Sequence, residues 1–208
     1  MSDALGWAAI DGALRRIYGD IDPFHLGTKH PFALGGSDPL DGISIFARTD
    51  PTPHWHYVSY GMSELYEKES SNTEVSGWGF EFTFRLVRRT EDTDPPVWPA
   101  GLLQNLARYV FKTEKWFEPG HTINANGPIA ADRPHCTIRA LTFAIDPELG
   151  VVETPHGSLQ FLQVVGLTPE EYAAAQGGKA KALLDYLAPY LPLYVTDIGR
   201  GPLVTPAQ

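Results

Sequence analysis

The residues best suited to chemistry are a pair of histidines two positions apart and a histidine beside the only cysteine. On a strand, His54 and His56 project to the same side, a spacing that some metal sites use. No third ligand stands at a characteristic distance from them. They therefore read as structural parts of a strand, and no metal is expected. His135 and Cys136 suggest a thiol nucleophile, but neighbours on an extended chain point to opposite faces and cannot form a hydrogen-bonded dyad. Cys136 reads better as a small buried apolar residue. The sequence contains no Gly-x-Ser-x-Gly elbow, phosphate loop or dinucleotide fingerprint. Carboxylates are plentiful, but sequence alone does not pair them across space. The expectation is a chain with no catalytic residue, no metal and no cofactor, and an enzyme with an unrecognised site is the alternative.

The elements that would carry these residues are clearest from His54 to Arg89. Trp78, Phe80, Phe82, Phe84 and Leu86 alternate with Gly79, Glu81, Thr83, Arg85 and Val87. A period of two predicts a strand, Gly77–Arg88. Each large apolar side chain on its first face is worth roughly 1.5–3 kcal/mol if fully covered, which places the strand near the middle of a sheet. His54–Tyr60, rich in aromatic and β-branched residues and closed by Gly61, predicts a second strand. The polar stretch between them, about Glu67 to Gly77, reads as a mobile excursion. Trp55 and Tyr57 share one face, with His54, His56 and Tyr60 on the other. Core packing is one reading of these aromatics; an interface role for a tyrosine is the second, because its ring buries area while its hydroxyl stays wet.

Further strands are predicted at Ile43–Arg48, Thr137–Ile145 and Ser158–Val165, the last preceded by a hairpin signature at Pro155-His156-Gly157. Pro99 opens a helix to about Phe117, with Leu102, Leu103, Leu106 and Val110 on one apolar face. An N-terminal helix capped by Asp3 runs through Ile17 and stops at Gly19. Thr168-Pro169-Glu170-Glu171 is a capping-box start, Gly177-Gly178 ends that helix, and Lys179 to Leu187 supplies another. A last strand is expected within Leu193–Ile198. The segments from Pro23 to Pro39 and from Glu118 to Pro134 read as irregular loops. Separate strands and helices imply an α+β fold, a mixed and mainly antiparallel sheet with helices packed against it. With 208 residues and no Pro/Gly-rich linker, one domain over 1–208 is expected.

Subtracting 25 acidic from 16 basic residues leaves a net charge of −9, which argues against a nucleic-acid partner and suits a cationic protein. No apolar run is long enough for a membrane span, and the start lacks the pattern of a signal peptide, so a cytoplasmic, non-membrane chain is expected. A lone cysteine fits a reducing compartment.

Several phrases, in order along nearly the whole chain, resemble the Suppressor of fused family. They are Pro39-Leu40-Asp41 with Ile43-Ser44-Ile45-Phe46, His54-Trp55-His56-Tyr57-Val58-Ser59-Tyr60-Gly61, Ser63-Glu64-Leu65-Tyr66, Gly77-Trp78-Gly79-Phe80-Glu81-Phe82, Leu106-Ala107-Arg108-Tyr109-Val110-Phe111, and Thr154-Pro155-His156-Gly157 through Phe161 to Gly166. Animal members have two lobes that clamp an extended peptide of a transcription factor by strand addition. This chain resembles the first lobe alone, as stand-alone bacterial members do, for which a role as immunity proteins against secreted toxins has been proposed. The resemblance implies a non-enzymatic protein-binding domain, with toxin neutralisation as the first reading and a peptide-binding regulator of a transcription or signalling protein as the second. A single jaw would leave uncovered an edge near His54–Tyr60 and the flanking loop. Tyr57, Tyr60, Glu64, Tyr66, Glu67 and Glu69 are the candidate protein-binding residues there. The carboxylates would discourage self-pairing and draw in a basic partner, such as a toxin domain, with Lys68 acting against them.

Overall fold

The computed structural model describes residues 4–30, 32 and 35–204. The expected Asp3 cap lies outside them. Helix α1 (Leu5–Tyr18) is followed by β1 (Phe24–Gly27), β2 (Gly42–Arg48), β3 (His54–Tyr60) and β4 (Val75–Val87). Then come α2 (Trp98–Thr113), β5 (Thr122–Asn124), β6 (Ala140–Ile145), β7 (Val151–Thr154) and β8 (Gly157–Leu167). Helices α3 (Pro169–Ala175) and α4 (Ala180–Leu187) close the order.

The eight strands form one sheet in the order β1-β2-β3-β4-β8-β6-β5, with β7 paired to the start of β8. All pairs are antiparallel except β4 with β8. The mixed α+β reading of the sequence is what the chain adopts. β8 holds the sheet together, since β4 takes one edge while β7 and then β6 share the other.

Both faces of this sheet are covered, and the alternation in β4 shows how. Phe80, Phe82, Phe84 and Leu86 turn to the face under α2, where they meet Trp55, Tyr57, Leu103, Leu106, Ala107 and Val110 in the main core. Phe82 is fully buried and lies 6.4 Å from Phe143 and 6.1 Å from Phe117, ring to ring. Replacing Phe82 by alanine is expected to cost about 3–5 kcal/mol, read as a lower midpoint in urea unfolding with an unchanged slope.

The opposite face is divided. Ile10, Ala13, Leu14 and Tyr18 of α1 cover Phe46, Val58, Tyr60, Leu159 and Phe161, while Leu183, Leu184 and Leu187 of α4 cover Ala140, Ala144, Val165 and Leu167. Glu81, Thr83 and Arg85 lie on this second face and are fully buried. A polar row in sequence thus becomes a polar seam under helices.

Several boundaries differ from the sequence reading. The segment from Pro23 to Pro39 contributes β1, and the loop from Glu118 to Pro134 contributes β5; both are short edge strands without an alternating pattern. The helix expected to reach Phe117 stops at Thr113, because Glu114 takes a left-handed φ of 57° and its N–H returns to Val110 O at 2.8 Å. The strand expected from Thr137 begins at Ala140. No strand forms over 193–198; a 3-10 turn, Pro192–Tyr194, and one parallel bridge from Thr196 to Leu86 stand there. The capping box at Thr168 and Glu171 is present, and Arg200 adds a bidentate pair to the same carboxylate, Nη1 to Oε1 at 2.5 Å and Nη2 to Oε2 at 2.6 Å. That pair ties the end of the described chain to α3.

Candidate functional site

The segment 61–77 leaves the sheet after β3 and is fixed by two carboxylates. Glu81, fully buried on β4, accepts from the main-chain N–H groups of Gly61 (2.9 Å), Met62 (3.1 Å) and Ser63 (2.9 Å). The hydroxyls of Ser63 (2.7 Å) and Ser59 (2.5 Å) complete its shell. Burial pushes the Glu81 carboxyl up, and these five donors oppose the shift. Glu64 does the same for the outer half. Its oxygens accept from Glu69 N (2.8 Å), Ser70 N (2.5 Å), Gly77 N (3.0 Å) and Lys68 Nζ (2.8 Å). Burial raises its pKa, but the donors win and hold it down at about 2. The excursion expected from about Glu67 to Gly77 is thus tied at both ends, its residues 71–74 stay exposed, and Val75 to Gly77 already belong to β4.

Helix α1 also holds this loop. Gly6 N and Trp7 N, free donors of its first turn, reach Leu65 O at 3.0 and 3.2 Å. The approach is so close that a Cβ on Gly6 would stand 2.0 Å from Glu64 O, and only glycine fits.

Between the loop, the start of β4 and the side of α2 lies a groove of about 740 Å³. Trp78 and Phe111, 5.6 Å apart, form its aromatic wall, and Phe32 meets Phe111 edge-on at 5.1 Å. Asp41, Glu64, Glu67 and Glu69 line it, and no lysine or arginine does. Lys68 compensates Glu64, with its ammonium on that carboxylate, on Ser70 Oγ and on Val75 O, which leaves Asp41, Glu67 and Glu69 as the uncompensated charges of the lining. Tyr66, half exposed, stands over the groove with its hydroxyl on Asp41 Oδ2 at 3.1 Å.

Of the six candidate residues, Glu64, Tyr66, Glu67 and Glu69 come together at this groove. Tyr57 and Tyr60 do not. Tyr57 is fully buried with its hydroxyl on Pro96 O at 2.7 Å, and Tyr60 is buried on the other face with its hydroxyl on Asp11 Oδ1 at 2.8 Å. The free edge expected at His54–Tyr60 is corrected for the same reason: β3 is an interior strand between β2 and β4. Phe111, Trp78, Asp41 and Phe32 were missed. The one signal for Phe111 was its place outside the apolar stripe of α2.

The histidines occupy the polar seam. His56 Nδ1 is 2.6 Å from Tyr18 Oη, and its Nε2 lies 3.2 Å from Asp146 Oδ2 but off the line of a good hydrogen bond. Asp146 is gripped by Arg85 in a fork, Nη1 to Oδ2 at 2.7 Å and Nη2 to Oδ1 at 3.1 Å, with Thr83 Oγ1 at 2.9 Å. Arg85 also reaches Glu148 (2.8 Å) and Gln163 (2.7 Å). Burial, then the neighbouring Arg85 cation, lowers His56 to about 4. His54, with Nδ1 on Thr52 O at 2.7 Å, is also lowered to about 4, chiefly by burial. His, Asp and Tyr in line resemble a proton relay. His56, Arg85 and Asp146 are fully buried or nearly so, and Tyr18, the outer member of this row, lines a surface cavity with Trp7, Asp11 and His25. Among the described residues, no group of three or more His, Cys, Asp or Glu is placed to hold a metal ion, and Cys136 is buried in a small apolar cluster.

With this geometry in place, likeness to known proteins becomes informative. The family model described as Suppressor of fused protein (SUFU) matches residues 36–201. The chain belongs to the Suppressor of fused family. The human Suppressor of fused homolog is 39% identical over 211 residues, covering 94% of this chain and 43% of that protein. The chain thus spans less than half the length of the curated relatives it matches, the mouse homolog included. Drosophila Suppressor of Fused superposes with a TM-score of 0.86 at 30% identity, over 95% of this chain and 51% of the other. A structure described as the Sufu-Fu complex gives a TM-score of 0.87 at 31% identity, over 95% and 91%. A putative SUFU homolog from Neisseria gonorrhoeae shares the fold at a TM-score of 0.66 and 16% identity, end to end, over 97% and 98%. Among the described residues no helix is long and apolar enough to cross a membrane.

Proposed function

We propose that this Suppressor of fused domain acts without catalysis, cofactor or metal, by binding a basic protein in the groove of Trp78, Phe111 and Tyr66, and that its partner is a toxin domain it neutralises as an immunity protein in the cytoplasm. The observation that carries the reading is the lining: Asp41, Glu67 and Glu69 beside an aromatic wall, with the fourth carboxylate, Glu64, paired to Lys68, on a chain of net charge −9. Such a surface steers and selects a cationic partner. A relative of nearly the same extent is described as part of a complex, which favours protein binding and keeps a peptide-binding regulator as the second reading.

The test is one-to-one inhibition of a cationic toxin domain encoded beside this chain, with association rates measured against salt. Glu67→Lys/Glu69→Lys should slow association about tenfold or more at low ionic strength and lose most of the salt dependence. Equal rates for the variant and the wild type would place the interface elsewhere. A regulator would instead bind an extended segment of a host protein and leave the toxin uninhibited.

A further inference from the structure

A second row of hydrogen bonds runs from β1 to α1, on the face of the sheet that α1 covers, and its protons have one possible arrangement. The carboxylate of Asp11 can only accept, so the Tyr60 hydroxyl donates to Oδ1 at 2.8 Å. Tyr60 then has no further proton and accepts from Ser44 Oγ at 3.3 Å. Ser44 in turn accepts from His25 Nδ1 at 3.1 Å, which places the proton of that ring on Nδ1. Every donor in the row is thus spent on the next member. The row ends on a carboxylate whose second oxygen, Oδ2, has no partner among the described residues. Packing fixes the members: Trp7 stacks on Tyr60 at 4.3 Å, His25 meets Tyr60 edge-on at 6.0 Å, and a Cβ on Gly42 would stand 2.6 Å from His25 Nε2.

This row lines a cavity of about 550 Å³ between α1, the turn after it and strands β1 to β3. Ser44 and Tyr60 are buried in the lining, 3% and 1% exposed, and Trp7 and Phe46 give it apolar surface. The turn after α1 adds Asp20 and Asp22. Among the described residues, Arg15 is the one full cation of the lining, and it is paired to Asp20 at 3.5 Å. Burial lowers the pKa of His25, against the pull of Asp11, so its imidazole brings no charge near neutral pH. Asp11 and Asp22 are left without a cation. A cavity whose row offers acceptors only, with carboxylates beside apolar walls, suits a ligand that carries donors and positive charge on an apolar body.

We propose that this cavity binds a primary ammonium group on an unbranched aliphatic chain, either a free aliphatic diamine or a lysine side chain of a partner protein. The ammonium, three donors and no acceptor, sets one N–H on Asp11 Oδ2, and its methylenes lie along Trp7 and Phe46. The second ammonium of a diamine lies toward Asp22 at the turn. A neutral alcohol of the same length is the poorer occupant, because it leaves the charge of Asp11 unmatched. A metal ion is poorer too, since among the described residues no group of three or more His, Cys, Asp or Glu is placed to hold one. The cavity shares no lining residue with the acidic groove, so this site does not depend on what binds there.

Asp11→Asn removes the charge and keeps an oxygen for the Tyr60 hydroxyl, which makes it the decisive variant. The probes are diaminobutane with an amine at each end and Nα-acetyl-lysine methylamide, with the matching butanediol as the uncharged control, each titrated into the purified chain by calorimetry and NMR. An amine should saturate one-to-one and shift the indole N–H signal of Trp7, while that of Trp78 in the acidic groove stays in place, a readout independent of any variant. Asp11→Asn should bind it about tenfold or more weakly, in a protein whose melting is unchanged. Glu67→Lys/Glu69→Lys should bind it as the wild type does, which separates this site from the acidic groove. Saturation by the diamine and not by the lysine analogue assigns the site to free small amines; saturation by the lysine analogue assigns it to a partner's lysine. The proposal is overturned if neither amine saturates, if butanediol binds as tightly, if Asp11→Asn binds as the wild type does, or if the Trp78 signal moves and that of Trp7 does not.

Discussion

Arg85→Met is expected to cost about 3–5 kcal/mol of stability, a large share of what a domain of this size has. Arg85 and Asp146 are both sealed from solvent, and among the described residues the guanidinium fork is the one full positive charge paired with Asp146. Methionine fills similar volume but leaves the carboxylate of Asp146 in the seam with Thr83 and the N–H groups of Glu148 and Leu149 as its remaining good donors. Glu148 suffers less, because Arg48 still reaches it at 3.1 Å near the surface. The penalty therefore comes from an uncompensated charge rather than from lost packing. Adding Asp146→Asn to Arg85→Met should recover part of the loss, so the double change costs less than the sum of the two single changes. Urea unfolding of the four proteins measures this directly, and a loss under about 1 kcal/mol for Arg85→Met would refute the seam as a coupled unit.

Acid should weaken the fold earlier than carboxylate titration alone would. His54 and His56 are held at about 4 in the folded chain against about 6.5 when unfolded. Their depressed values mean that stability is whole above pH 6.5 and falls as pH drops toward 4, because only the unfolded chain takes up these protons. Each contributes a loss of about 3 kcal/mol across that window. Glu81 acts in the opposite sense, since its raised pKa lets the folded chain bind a proton before the unfolded one does. Asp146 and Glu171, both lowered, add their own losses only at lower pH. The expected result is a steep fall in unfolding free energy from pH 6.5 to 5, and a much flatter profile in a folded His54→Gln/His56→Gln protein. An unchanged slope in that variant would assign the acid sensitivity to other groups.

The parts of the fold that were legible in the sequence are those whose burial is periodic. Phe80, Phe82 and Phe84 declare a central strand and the leucines of α2 declare its covering helix, since one residue type repeats on one face. β1 and β5 were hidden because their order comes from neighbours distant in sequence and not from a pattern of their own. Glu81, Thr83 and Arg85 looked like a solvent face for a similar reason: a polar residue alternating with phenylalanine reads the same whether water or a second layer of helices covers it. The partner of Arg85 is Asp146, 61 positions away, and nothing local announces it.

At the candidate site, Tyr66, Glu67 and Glu69 were found through the polar loop that carries them. Tyr57 and Tyr60 share letters with interface tyrosines, yet pairing of β3 on both sides puts them inside. Glu64 was expected as a charge offered to a partner. In the structure that charge is already spent on four donors of its own loop, and its role at the groove is to hold the shape.

The claim that function resides in the acidic groove is tested most directly by hydrogen exchange of the wild type with and without its one-to-one partner bound. Slowed exchange is predicted for main-chain amides of residues 61–70 and around Trp78 and Phe111, with the seam around Arg85 unchanged because it is protected in both states. Protection confined to other surfaces, with residues 61–70 exchanging as in the free protein, would contradict it.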